Sequence, residues 1–223
     1  LVVVGEALID LVPVAGNDHF QARPGGSPFN VAIGLARLGN HTALMARLAD
    51  NAFGRLLRDH AAAEGIDLSS APLAVEPTTL AVVSLDHQAQ PSYDFYFEGT
   101  ADWQWTAAEM AQLPRDAAVL HFGSLASWTE PGCAPLYELA ARTHAAGHIL
   151  VSYDPNVRPL VFGEPARGRD LVERSVGVAH LVKASTEDIE WLYPGVGSAE
   201  VGARWTQLGV DVVVITDGPH GAV

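Results

Sequence analysis

Four short polar groups in this 223-residue chain each follow an apolar run rich in β-branched residues. Asp10 follows LVVVGEALI, Asp154-Pro155-Asn156 follows ILVSY, Lys183 to Asp188 follows HLV, and Thr216-Asp217-Gly218 follows DVVVI. Open α/β sheets bind ligands at the carboxyl ends of their strands, so four such groups suggest one shared cleft. A carboxylate such as Asp10 can accept hydrogen bonds from two adjacent hydroxyls, and a site built for hydroxyls rejects analogues that lack them. It can equally cap a nearby backbone turn, and both readings stand. In DPNVR, Pro155 fixes φ and pre-orients Asn156, and Arg158 can bond a hydroxyl or balance phosphate charge. DPN is also an ordinary Asx-Pro turn. Thr216 can bond a phosphate oxygen, while Gly218 and Gly221 permit close approach of a ligand. Glycine turns after strands are common, so TDGPHG says little alone.

The stretch GGSPFNVAIGLARLG, Gly25 to Gly39, is the most informative. Gly25 and Gly26 admit backbone angles and close contacts that a Cβ forbids. Ser27 is placed to cap a helix and Pro28 suits its first turn. Val31, Leu35 and Leu38, with Ala32 and Ala36, form one apolar stripe that Gly39 ends. Asn30 lies in the first turn, beside the glycines. This build suits a small polar ligand at a helix N-terminus.

Those groups need a frame, and the alternation of short apolar runs with helical stretches predicts a largely parallel α/β sheet. Strands are expected over Val2–Leu8, Thr42–Leu48, Val119–Phe122, Ile149–Tyr153, Leu181–Ala184 and Val212–Thr216. Helices are expected over Pro28–Leu38, Asn51–Glu64, Pro131–Ala146 and Ala199–Leu208, with Asp50 and Gly65 bracketing the second. Val12–Arg23 and Val75–Phe97 lack a helix period. LAVVSLD and SYDFYF within the latter read as an antiparallel hairpin, so these two segments are expected to form a lid over one α/β domain spanning residues 1–223.

The formal charge of −13 argues against nucleic acid and anionic membranes as partners. A lone Cys133 excludes an intrachain disulfide and suggests a reducing compartment. No apolar run has the length of a membrane span, and the chain opens on a strand-like run without signal-peptide features; a cytoplasmic location is expected. No GxxxxGK[ST] occurs, which excludes a P-loop, and no GxGxxG follows the first strand. His144 and His148 have i,i+4 spacing, but Gly147 lies between them and no third ligand is near; a helix C-terminus explains them better than a metal. Trp103 and Trp105 read as packing residues.

GEALIDLVP, GGSPFNVAIGLARLG, DNAFG, FEGTADW, DPNVR, VKASTED and VVITDGPHG occur in the order of the PfkB (ribokinase-like) sugar kinases, and the chain resembles that family's fructokinase branch. The resemblance covers essentially all 223 residues. It implies a three-layer αβα sandwich with a mostly parallel central sheet of eight or nine strands and a small β-sheet lid. It implies ATP-dependent phosphorylation of a sugar's primary hydroxyl, with Mg²⁺ and, as a further candidate, a monovalent cation. By this resemblance Asp10, Gly25, Gly26 and Asn30 hold the sugar, with Tyr96 on the lid, and Asn156 and Arg158 stand near the reacting ends. Lys183, Ser185, Thr216, Gly218 and Gly221 match the nucleotide side, and Asp188 matches a position that supports Mg²⁺ through water. The exposed lid face is a candidate contact for a second copy.

Two departures matter. Keto-deoxygluconate kinases tend to place an arginine beside the lid tyrosine, whereas Tyr96 is followed by Phe97 and Glu98, which favours a neutral sugar, fructose first, unless Glu98 simply faces solvent. The family's DTxGAGD segment, source of the aspartate base, is absent from these residues. No catalytic base is therefore assigned, and Asp217 is no substitute. The chain is expected to be part of a longer kinase. The alternative is a catalytically silent sugar- or nucleotide-binding protein of the same fold, which a GAGD beyond Val223 would exclude. Ribose, keto-deoxygluconate and nucleoside kinases are alternatives within the same class.

Overall fold

The computed structural model describes residues 1–14, 19–85, 91–111 and 113–223. Its main sheet contains, in chain order, β1 (Val2–Val4), β4 (Ala43–Met45), β9 (Val119–Gly123), β10 (Leu150–Asp154), β11 (Leu181–Ser185) and β12 (Val212–Thr216). The spatial order is β12-β11-β10-β9-β1-β4, and every pairing is parallel. Six strands thus stand here, among the described residues, where the resemblance implied eight or nine. Parallel strands covered on both faces read as continuous apolar runs, as VVV of β1, between β9 and β4, does.

Helices cover both faces. Val3 joins Leu44 against Phe29, Ala32 and Ile33 of α1 (Ser27–Arg37) and Leu57 and Ala61 of α2 (Ala52–Ala63). Val2 and Val4 turn the other way, into a cluster with Leu136, Leu139 and Ala140 of α4 (Cys133–Ala146). The same cluster takes Val172 and Val176 of α6 (Pro165–Val176), Ile189 and Leu192 of α7 (Thr186–Leu192), and Val201 and Trp205 of α8 (Ser198–Gln207). Two single turns, α3 (Ala107–Met110) and α5 (Pro159–Phe162), complete the helices.

The lid sheet runs β3-β2-β7-β8, from β2 (Leu8–Pro13), β3 (Phe20–Gly25), β7 (Leu80–Leu85) and β8 (Pro91–Tyr96). The expected hairpin is β7 against β8, with Leu80 opposite Tyr96. Residues 15–18 and 86–90 of the expected lid segments, Asp86 included, lie outside the described residues.

Several boundaries differ from expectation for local reasons. The run expected as one strand over Val2–Leu8 divides at Gly5-Glu6-Ala7, where the chain leaves the main sheet for the lid. Gly5 packs so closely on Pro28 that a Cβ would lie 2.3 Å from the ring, and the buried Asp102 Oδ1 takes the Ala7 amide at 2.9 Å. Thr42–Leu48 divides likewise: Leu48–Ala49 (β5) leaves the sheet to pair with Leu73–Ala74 (β6). Between the pieces, Arg47 is buried and binds Glu76, Glu109 and the Ala101 carbonyl. Helix α2 is capped by Asn51, whose side chain accepts from the Gly54 amide, and not by Asp50. Helix α6 had no sequence expectation because few of its residues are apolar. Its Gly168 lets Trp191 approach to where a Cβ would lie 2.5 Å from the ring.

Candidate active site

The point where β1 gives way to β2, the start of α1 and the carboxyl ends of β9 and β10 surround one cleft of about 810 Å³. Asp10, Asn30, Asn156 and Arg158 line it together, as expected, with Gly26 at its edge. Phe95 of the lid lines it too.

Asp10 lies in β2 opposite Arg23 of β3. Gly25 is glycine because of that carboxylate: a Cβ there would sit 2.2 Å from Asp10 Oδ2. Gly26 has φ 105°, and a Cβ on it would meet the Glu6 carbonyl oxygen at 2.7 Å. Its own carbonyl starts α1 by accepting from the Asn30 amide at 2.9 Å. The N-cap is therefore Gly26, without a side-chain cap. Ser27, expected as the cap, is instead the first helical residue and lines the cleft. With no side chain over it, the helix N-terminus keeps its amides and positive dipole end available to a polar ligand.

Burial raises the Asp10 pKa, and the nearby Arg158 guanidinium opposes the shift. The Asp10 carboxylate makes no hydrogen bond with the described residues, so the turn-capping reading has no support. Arg158 gives one hydrogen bond, from Nη1 to the Val157 carbonyl at 2.9 Å, and forms no ion pair among the described residues. An acceptor and a donor of opposite charge thus face one cleft with bonding capacity to spare.

Beneath them lie carboxyls that motif reading passed over. Glu6 is 1% exposed and lines the cleft floor. Its Oε2 accepts from the Ala126 amide at 3.3 Å, and burial lifts its pKa to about 7 against the opposing influence of the nearby Ser124 side chain. Asp102, equally buried, is also lifted to about 7, by burial first and with Glu6 adding repulsion. Its Oδ2 has no partner among the described residues. The available signal for Glu6 was a lone carboxylate inside the apolar run LVVVGEALI, which was absorbed into a single strand. Ser124, directly after β9 in FGSLAS, offered no motif.

The residues expected on the nucleotide side follow along the same sheet edge, outside this cleft. Lys183 Nζ pairs with Asp154 Oδ2 at 3.2 Å. Burial raises the Asp154 pKa, and Lys183 opposes the rise. Ser185 caps α7 by accepting from the Asp188 amide, and Thr216 Oγ1 donates to the Ala184 carbonyl. Gly218 and Gly221 hold positive φ of 48° and 98°, with open space where a Cβ would go. They serve a tight turn after which Val223 pairs back onto Ile215.

Three expectations are corrected. Asp188 accepts from the Ser185 and Val157 amides, one on each oxygen, and is buried. That carboxylate closes a capping box and anchors the DPNVR loop, so it is not arranged to hold Mg²⁺. No group of three or more His, Cys, Asp or Glu side chains suited to a metal exists among the described residues; a Mg²⁺ carried by nucleotide phosphates and water does not require one. Tyr96 is 62% exposed and lies away from the cleft, because strand alternation turns Phe95 inward in its place. Glu98 is exposed and outside the cleft as well, so it does not select against anionic sugars. Trp103 and Trp105 are buried in the core, and the His144 ring packs tilted by 33° against His180 with ring centres 4.4 Å apart.

A family model described as pfkB family carbohydrate kinase matches residues 1–223. The chain belongs to that family. Within the pfkB kinases it is 35% identical over 221 residues to a fructokinase of Rhizobium leguminosarum bv. trifolii, covering 98% of this chain and 67% of that protein. It is 34% identical over 235 residues to fructokinase-2 of Zea mays, covering 99% and 68%. The crystal structure of apo fructokinase from Vibrio cholerae O395 superposes with a TM-score of 0.87 at 30% identity, covering 99% of this chain and 75% of that one. A double mutant of the Vibrio enzyme with fructose, ADP and potassium ion bound gives the same TM-score and identity, covering 99% and 71%. These likenesses place the chain in the fructokinase-like branch of enzymes that phosphorylate sugars, on the three-layer sandwich with a small lid sheet.

Proposed function

We propose that this protein binds fructose in the cleft under the lid and transfers the γ-phosphoryl group of ATP to it. The observation that carries this reading is the set of side chains in the cleft: Asp10 with its hydrogen-bonding capacity free, facing Asn30, Asn156 and Arg158 at the open end of α1. Vicinal hydroxyls suit that set, with Asp10 accepting two of their protons and the amides and Arg158 serving the remaining oxygens. Two carboxyls and one guanidinium favour a neutral sugar over a sugar acid, and the fructokinase relatives favour fructose.

Each part of the chain contributes a physical step. The start of α1 and Asp10 fix the acceptor, so the transfer begins from an oriented pair. Lid strand β8 brings Phe95 to the cleft, and its apolar ring excludes water that would otherwise take the phosphoryl group. Lys183, Ser185, Thr216, Gly218 and Gly221, farther along the sheet edge, form the nucleotide side of this reading. Arg158 lies at the cleft margin, where its charge can stabilise the oxygens of the transferring group. ADP release, coupled to NADH oxidation, should be measured for the protein with fructose, ribose, adenosine and keto-deoxygluconate. Fructose is expected to give the highest kcat/KM; no ADP release above background with any of the four refutes the reading.

A further inference from the structure

Two non-glycine residues among those described have positive φ: Ser124 at 54° and Asn156 at 40°. Both line the cleft, and they touch each other: Asn156 Nδ2 donates to Ser124 Oγ at 2.9 Å. Asparagine tolerates the left-handed region; serine seldom adopts it, and such strain persists where surrounding structure enforces it, often at functional sites. Ser124 follows Gly123, which is glycine because a Cβ would lie 1.9 Å from the Asp154 carbonyl oxygen. The turn is held independently of the Ser124 hydroxyl, since the Ser124 carbonyl accepts from Ser127 Oγ at 2.7 Å.

The hydroxyl is therefore available for another task. Its oxygen accepts from the Asn156 side-chain amide, and the buried Glu6 carboxyl lies beside it on the cleft floor. The Asn156 main-chain amide meanwhile donates to Asp154 Oδ1 at 3.0 Å. Side chain and backbone of Asn156 are both fixed, and its Oδ1 takes no hydrogen bond from the described residues. We propose that Ser124 is a positioning residue of the acceptor site: aligned by Glu6, its hydroxyl holds the Asn156 amide so that Oδ1 accepts from a sugar hydroxyl. The proposal rests on the sugar-kinase reading and adds Glu6 and Ser124 to the residues that determine how the acceptor lies.

Ser124→Gly separates this role from backbone shape, because glycine keeps the positive φ and removes only the hydroxyl. In the full-length enzyme, Ser124→Gly should raise the KM for the sugar about tenfold, the scale of one lost hydrogen bond, and leave the KM for ATP within about twofold. Its Tm should not fall. Ser124→Ala should show the same rise in sugar KM with a lower Tm. Since Ser124 acts through Asn156, the double variant Ser124→Gly/Asn156→Ala should be no worse than Asn156→Ala. A wild-type sugar KM in Ser124→Gly, or additive effects in the double variant, overturns the positioning role while the wild-type enzyme remains an active kinase. Absence of turnover by the wild-type enzyme with any sugar overturns the kinase reading and this role with it.

Discussion

Replacing Asp10 by Asn should separate sugar recognition from folding, because the two respond to that carboxylate with opposite sign. The site has two acceptor oxygens, no hydrogen-bonding partner among the described residues, and Gly25 packed against Oδ2. Ionised, it can accept two hydroxyl protons in charge-assisted bonds of about 1.5–3 kcal/mol each. Asn keeps the shape, weakens one bond to a neutral one and turns the second oxygen into a donor. The combined loss is about 3–4 kcal/mol, or a fall in kcat/KM for the sugar of about 10²- to 10³-fold. Stability moves the other way. The folded-state pKa of Asp10 lies above its unfolded value because burial disfavours the charge. The contribution of the carboxyl to stability is then greatest at low pH and is lost as pH rises through the folded pKa. At neutral pH the neutral Asn should leave Tm equal to or above that of wild type. Steady-state kinetics and differential scanning calorimetry on the same preparation check both arms. A kcat/KM within threefold of wild type would refute the recognition argument, and a lower Tm at neutral pH would refute the electrostatic one.

Further tests address the neighbours of that residue. Gly25→Ala puts a Cβ 2.2 Å from Asp10 Oδ2, so the carboxylate must move; the sugar KM should rise about tenfold or more, read in the same coupled assay. Glu6 is raised from 4.5 to about 7 by burial, so wild-type stability should decline as pH climbs through that interval. Glu6→Gln should flatten that part of the Tm–pH curve and raise Tm at pH about 8, where the wild-type carboxyl is charged; an unchanged slope would count against it. Asp188→Ala removes two backbone caps at once, and chemical denaturation should show a loss of about 2–4 kcal/mol. Added Mg²⁺ should not discriminate between that variant and wild type in thermal stability.

Much of the cleft could be read from the chain because its parts are local. Asp10 stands in a β-rich run, Asn30 three residues into a glycine-started helix, and Asn156 and Arg158 beside a proline whose φ is fixed; neighbouring residues set each position. What could not be read depends on contacts between distant segments. Tyr96 and Phe95 are adjacent, and only the pairing of β7 with β8 decides which faces the cleft. The burial of Glu6 depends on Ala126, 120 residues away, and that of Asp102 on Ala7, 95 residues away. Asp188 resembles a metal-side residue in sequence until Val157, 31 residues earlier, is seen to take one of its oxygens.

The same distinction orders the site by function. Side chains legible in sequence are those that line the cleft and, in the proposed function, meet the sugar, and their chemistry is written in their type: a carboxylate, two amides, a guanidinium. The residues that were missed act one step back, and their chemistry comes from burial. Glu6, 1% exposed beside Ser124, is the anchor in the proposed role because burial strengthens its polar interactions. Ser124 in turn fixes Asn156 only because Gly123 brings β9 against Asp154, which also holds the Asn156 main chain and pairs with Lys183. Polar contacts therefore run from Ser124, beside Glu6 on the cleft floor, through Asn156 and Asp154 to Lys183, the lysine expected on the nucleotide side. Orientation of acceptor and donor against each other is the main demand of phosphoryl transfer, and in the proposed function this sheet edge would meet it with parts supplied by four neighbouring strands of the main sheet.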